Sequence, residues 1–167
     1  MNDIPYVLVA LVVLQRLWEL SRANANTKAL LARGAVELAP RHYPLIVGLH
    51  AAWLVAILWR MPAAAAINWP LLAVFVVLQG LRLWVLVTLG PYWTTRIITL
   101  PGAPLVRKGP YRFVRHPNYL VVAGEIAVLP LVFGEVWVAV IFSLLNAALL
   151  AWRIRQEEAA LKPRQAQ

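Results

Sequence analysis

Between Tyr119 and Trp152 the chain runs for 34 residues with barely a charge. As a single helix that run would be about 50 Å long at 1.5 Å per residue, well beyond the roughly 30 Å hydrocarbon core of a bilayer. Gly124, Pro130 and Gly134 fall near its middle, and glycine and proline are where helices stop or turn. The run therefore reads as a helical hairpin, Tyr119 to about Val132 and Glu135 to about Trp152. An amphipathic tail continues it through Leu161.

Three more apolar runs precede it: Ile4 to about Leu20, Tyr43 to Trp59, and Trp69 or Pro70 to Leu89. Arg60-Met61-Pro62 closes the second and Gly90-Pro91 the third, while Tyr92-Trp93 suits a membrane-interface belt. Hydrophobic residues make up 62% of the chain and charged residues only 14%, against about 25% charged in soluble domains. Mean hydropathy is +0.69. The expectation is an all-α, polytopic integral-membrane helix bundle with about five transmembrane helices, forming one domain over residues 1–167. Three spans occupy 1–90; a loop, the hairpin and the tail occupy 91–167.

Charge supports the same count. The net charge is +9, which in a soluble chain would suggest nucleic acid. Here the cations cluster in the segments 22–41 and 92–118 and in the tail from Arg153, so membrane orientation and lipid headgroups explain them and no nucleic-acid partner is expected. All three segments lie on one side only if the chain crosses five times. That arrangement puts the N-terminus outside and the loop in the cytoplasm, in a cell inner membrane. Met1-Asn2-Asp3 carries an acid where a signal peptide is basic, so no cleaved leader is expected. With no cysteine, and with His42, His50 and His116 dispersed, no metal site is expected.

The spans contain a few polar residues. Arg16 and Glu19 are three apart and share a helix face. Gln79 and Arg82 have the same spacing and can line the bundle interior, and part of the segment 21–42 can form a helix on the membrane surface. His50 sits mid-span without a charged neighbour in sequence, which favours a hydrogen-bonded packing role.

The longest polar run is Arg107-Lys108-Gly109-Pro110-Tyr111-Arg112-Phe113-Val114-Arg115-His116-Pro117-Asn118-Tyr119. Five groups in it are cationic or titratable: Arg107, Lys108, Arg112, Arg115 and His116. Positive-inside anchoring needs only scattered cations and leaves the interleaved prolines, glycine and tyrosines unexplained. Proline fixes φ and biases the preceding residue towards extended backbone, so this is a braced loop. A braced cationic loop before an apolar helix suits an anionic group on a cofactor.

Gly109-Pro110-Tyr111-Arg112, Arg115-His116-Pro117-Asn118-Tyr119 and Glu157-Glu158 after one hydrophobic hairpin resemble the isoprenylcysteine carboxyl methyltransferase family. The similarity covers Leu89 to Leu161. Gln15-Arg16-Leu17-Trp18-Glu19-Leu20, Gly34-Ala35-Val36-Glu37 and His42-Tyr43-Pro44 resemble a bacterial branch that methylates the hydroxyl of alkylpyrones or alkylresorcinols. The resemblance implies transfer of a methyl group from S-adenosylmethionine to a lipophilic acceptor. It implies cofactor contacts from Lys108, Gly109, Pro110, Tyr111, Arg115, His116, Pro117, Tyr119, Arg153, Glu157 and Glu158.

Such a site needs cations for the cofactor carboxylate and a carboxylate such as Glu158 for the ribose hydroxyls. His116, as a histidine, is of the residue type suited to act as a base near neutrality, with cofactor binding as its rival role. Arg115 can polarise the acceptor oxygen, and His42 with Glu37 stands on the acceptor side. No Gly-x-Gly-x-x-Gly loop or β–α alternation is present. The alternatives are an NADPH-dependent sterol or enone reductase and a small membrane protein without catalysis. Adjacent carboxylates at Glu157-Glu158 suit a 2'-phosphate poorly, and the acceptor and oligomeric state stay open.

Overall fold

Each long apolar run of the sequence is a helix. A computed structural model describes residues 3–40, 42–62, 65–103 and 106–165, with side chains for all of these but His42 and 159–165. In chain order the elements are α1 (Ile4–Ala32), β1 (Val36–Leu38), α2 (His42–Arg60), α3 (Trp69–Leu89), β2 (Ile97–Thr99), α4 (Pro117–Val132) and α5 (Val136–Gln165). Short 3-10 turns cover Gly90–Tyr92 and Gly109–Arg112. Helices α1, α2, α3 and α5 are each long and apolar enough to cross a bilayer. Helix α4 has 16 residues, about 24 Å at 1.5 Å per residue, and is the short arm of the hairpin.

The core is built from Val9 and Val12 of α1, Trp53 and Ile57 of α2, Phe75 of α3, Ile126 and Leu129 of α4 and Val138 of α5. The outward positions are apolar too. Leu14, Leu17, Val55, Trp59, Val77, Val87 and Leu144 are all exposed, a surface that water would penalise and lipid accepts. The chain is a multi-pass membrane helix bundle. Helix α4 lies close against α3: a Cβ on Gly124 would stand 3.0 Å from Leu78 Cδ2.

Helix ends follow local chemistry. At the tip of the hairpin, Gly134 takes φ +79° and its N–H donates to the Leu131 carbonyl, while Glu135 N–H donates to Pro130. Those two bonds satisfy carbonyls that the end of α4 would leave unpaired. The hairpin runs where the glycines and proline placed it.

Two features depart from the sequence reading. Helix α1 does not stop near Leu20 but continues to Ala32, because Ser21–Ala32 contains neither proline nor glycine. The segment expected as a separate surface helix is the end of this one, and Gly34 at φ +86° marks its true stop. The second feature is a small antiparallel sheet, with Val36 opposite Thr99 and Leu38 opposite Ile97. It joins the first connection to the third.

A polar layer crosses the bundle inside this hydrocarbon. Arg82 donates from Nε and Nη2 to the two oxygens of Glu19, both at 2.6 Å, and from Nη1 to Glu125 Oε2 at 2.9 Å. Arg16 reaches Glu19 at 2.9 Å and Glu125 at 2.9 Å. Gln15 donates to Glu19 and Gln79 to Glu125. Helices α1, α3 and α4 are thereby tied by matched charges.

Candidate functional site

At one end of the bundle the connections converge. Asn26, on the extension of α1, donates to the carbonyls of Gly90 at 3.1 Å and Trp93 at 2.8 Å. This holds the chain leaving α3, and Trp93 is buried beside Ala23 and Leu86. Trp93 is therefore a packing residue, not the interface anchor expected of it. Arg96 binds Glu37 at 2.9 Å across the sheet, with its guanidinium 4.2 Å from the centre of the Tyr43 ring. Glu37 is thus engaged in holding two connections together. His42 opens α2, and its side chain lies outside the described residues.

The braced loop is fixed by Gly109. Its φ is +57°, and a Cβ there would run into the side chain of Thr88 on α3. Only glycine meets both conditions at low cost. Pro110 is buried in the following turn, and Pro117 is buried at the first position of α4. These residues, together with Lys108, are not among the lining of the cavity described next. Gly109, Pro110 and Pro117 shape the loop.

A cavity of about 800 Å³ opens between the loop, β2 and the end of α5. Tyr111, Arg115, His116, Tyr119, Arg153, Glu157 and Glu158 all line it. Tyr119 OH donates to Glu157 and accepts from Arg153 Nε at 2.8 Å. The ring of His116 stacks on Tyr119 with centroids 5.4 Å apart, and its Nε2 lies 3.6 Å from Glu158 Oε1. The spacing of Arg153 and Glu157, one helical turn, puts both on the α5 face that meets the loop. Burial pushes the Tyr111 phenol above its usual range, and the charge of Glu157 adds to that. Tyr111 therefore stays a neutral donor.

A second cavity, about 410 Å³, runs between α1 and α2. Leu17, Leu20, Ile46, Val47, Leu54 and Leu58 give it apolar walls, and Arg16, Glu19 and Arg82 of the polar layer also line it. The two cavities share Trp93, Thr94, Asn118, Tyr119 and Arg153. Asn118 Oδ1 is buried in that shared wall without a hydrogen-bond partner. His50 also lines the groove; its Nδ1 bonds the Ile46 carbonyl at 2.8 Å.

Sequence reasoning missed several of these residues. Trp93, Thr94 and the β2 backbone enter the site only through the sheet and the Asn26 clasp. Asn118 stands inside the quoted motif, and its unpaired oxygen was invisible there. Arg107, counted among the loop cations in the sequence but not among the implied cofactor contacts, also lines the first cavity.

The site is thus a polar cavity at one end of a membrane helix bundle, with an apolar groove beside it. The family model for isoprenylcysteine carboxyl methyltransferases matches residues 71–163, more than half of the chain. The chain belongs to that family of integral-membrane methyltransferases. It is 38% identical over 161 residues to the uncharacterized protein YpbQ of Bacillus subtilis (strain 168), covering 94% of this chain and 96% of the relative. An uncharacterized protein of Haemophilus influenzae is 29% identical over 157 residues, 91% of each chain. No solved structure matches.

Proposed function

We propose that the polar cavity binds S-adenosylmethionine and that the groove takes a lipophilic acceptor, whose oxygen is methylated at the wall the two share. The observation that carries this reading is that shared wall: Asn118, Tyr119 and Arg153 border both spaces. A volume of about 800 Å³ is within the usual 300–1,000 Å³ of small-molecule sites. The donor set also fits. Arg115 and Arg153 suit a carboxylate, and Glu157 and Glu158 suit vicinal hydroxyls.

When bound, adenosylmethionine supplies an electrophilic methyl group on a sulfonium. The protein's own residues supply position and charge. Tyr119 is locked between Arg153 and Glu157, so its ring is a fixed partition between the cavities. Asn118 Oδ1, free of other partners, accepts from an acceptor hydroxyl. The proton lost when a hydroxyl acceptor becomes an ether goes to His116, whose Nε2 lies 3.6 Å from Glu158 Oε1. Arg115 offsets the developing negative charge on oxygen. His42 stands as a second candidate base on the groove side. A hydroxyl of an alkylpyrone or alkylresorcinol type is the favoured acceptor, with a prenyl carboxylate next. The cavity faces the cytoplasm of an inner membrane, since the basic connections gather at that end.

Titration of the purified protein in lipid nanodiscs with adenosylmethionine and with NADPH tests the reading. Saturable binding of adenosylmethionine alone is expected. Binding of NADPH alone would move the chain to reductase chemistry, and binding of neither would leave the cavity without its proposed ligand. Long-chain acceptors should be methylated well ahead of water-soluble short-chain analogues; equal rates would refute use of the groove.

A further inference from the structure

The loop that lines the cavity has a second, outward face. Phe113 is 72% and Val114 40% exposed. The Phe113 ring stands 6.5 Å from that of Trp84, an exposed residue of α3. Trp84 is five residues before the end of α3, so it lies about 7–8 Å down that helix from its end. An aromatic of a polar connection is thus laid along the lipid side of a span. Water is a poor home for it, and acyl chains at the interface are a good one.

The charges around it point to the same surroundings. Arg107, Lys108, Arg112 and Arg115 are exposed, and among the described residues none has a carboxylate within 4.0 Å. Arg107, Arg112 and Arg115 also border the cavity, while the Arg112 guanidinium lies over the outward Phe113 ring at 5.8 Å. Unmatched cations around a hydrocarbon-seeking pair complement a layer of negative headgroups above acyl chains. The inner face of this same short loop carries Tyr111 and His116 into the cavity.

We infer that the outer face of residues 107–115 binds anionic phospholipid headgroups, and that this binding holds the loop in the form that lines the cavity. Cofactor affinity then depends on the charge of the surrounding bilayer. This second part rests on the proposed use of adenosylmethionine; the lipid site itself does not.

The experiment uses full-length protein in nanodiscs of phosphatidylcholine with and without phosphatidylglycerol. The chain has no cysteine, so Val114→Cys carries one fluorophore at a single known place. Quenching by nitroxide lipids, stronger in the anionic discs, is expected; a label that reports water in both compositions overturns the lipid site. Adenosylmethionine should bind roughly fivefold or more tightly in anionic discs, since each interfacial cation is worth about one kcal/mol and 1.4 kcal/mol is tenfold. Phe113→Ser/Val114→Ser, at two exposed positions outside the cavity lining, should abolish that difference while keeping the affinity seen in phosphatidylcholine. Equal affinity of the parent in both compositions overturns the coupling. Inorganic phosphate added to phosphatidylcholine discs should not substitute; if it does, the site reads free anions and the inference fails. A label quenched by anionic lipid in a protein that binds no adenosylmethionine would sustain the lipid site and sink the methyltransferase reading alone.

Discussion

The molecule carries two clusters of charge only two helical turns apart, and they are built on opposite plans. Along α4, Glu125 is six residues below Tyr119, about 9 Å at 1.5 Å per residue. The deeper cluster joins Arg16, Glu19, Arg82 and Glu125 with every charge matched, and Glu19, Arg82 and Glu125 are 3%, 7% and 2% exposed. The upper cluster lines an open cavity, carries more cations than acids, and leaves the Glu158 carboxylate half in solvent. Ionisable groups inside a membrane bundle invite a functional reading. Here the matched set ties α1, α3 and α4 together while Arg16, Glu19 and Arg82 also border the groove, and the unmatched set lines the polar cavity. Closure of the charge account, more than depth, distinguishes the two clusters.

The largest expected effect breaks the deep cluster. Arg82→Leu leaves Glu19 and Glu125 buried without their common partner, a loss of about 3–5 kcal/mol in comparable buried pairs. The unfolding midpoint in a fixed detergent should drop steeply. A variant as stable as the parent would show that the quartet holds nothing. Replacing all four charges by apolar residues of similar size should cost less than the single change, because no orphaned charge remains.

The upper cluster should respond in the opposite way. Glu158→Gln is expected to weaken adenosylmethionine binding about ten- to a hundredfold, while stability shifts by less than about 1 kcal/mol. Combined with His116→Ala the loss should fall short of the sum, as for two groups serving one ligand. A Glu158→Gln protein with unaltered affinity would detach the tail of α5 from the site.

The smallest effect sharpens the contrast. Tyr111→Phe removes one neutral donor and should cost a few-fold in affinity, roughly 0.5–1.5 kcal/mol. Burial and Glu157 raise the pKa of this phenol. The proton therefore stays on through the range in which a free tyrosine keeps it, and any loss begins only above pH about 10. Affinity measured from neutrality to that point should show no tyrosine step. A fall with a midpoint below it, absent in Tyr111→Phe, would contradict the buried placement.

How far the sequence reached depends on whether a feature is local. Helices α2, α3 and α5 and the turn at Gly134 follow from hydropathy, length and backbone preference, which neighbouring residues decide among themselves. The end of α1 was misjudged for the same reason: polarity after Leu20 suggested an exit, yet helix formation needs only compatible backbone, and Ser21–Ala32 supplies it. The loop motif and the pair Glu157-Glu158 were legible as chemistry because their residue types are out of place in a membrane chain.

What the sequence alone determined, then, was the set of helices and the residue types able to meet a charged ligand. Which of those residues meet was decided by tertiary structure. Glu19, Arg82 and Glu125 come from three helices, and Glu125, which the sequence reading left unassigned, meets Arg82 where α3 and α4 pack close at Gly124. The pairing of Val36–Leu38 with Ile97–Thr99 links segments about sixty residues apart, and no local preference encodes a partner at that separation. The shared wall of cavity and groove exists only because Asn26 clasps Gly90 and Trp93 while α5 returns Arg153 to Tyr119. Propensity acts over a few residues; a site made at the meeting of connections is a property of packing.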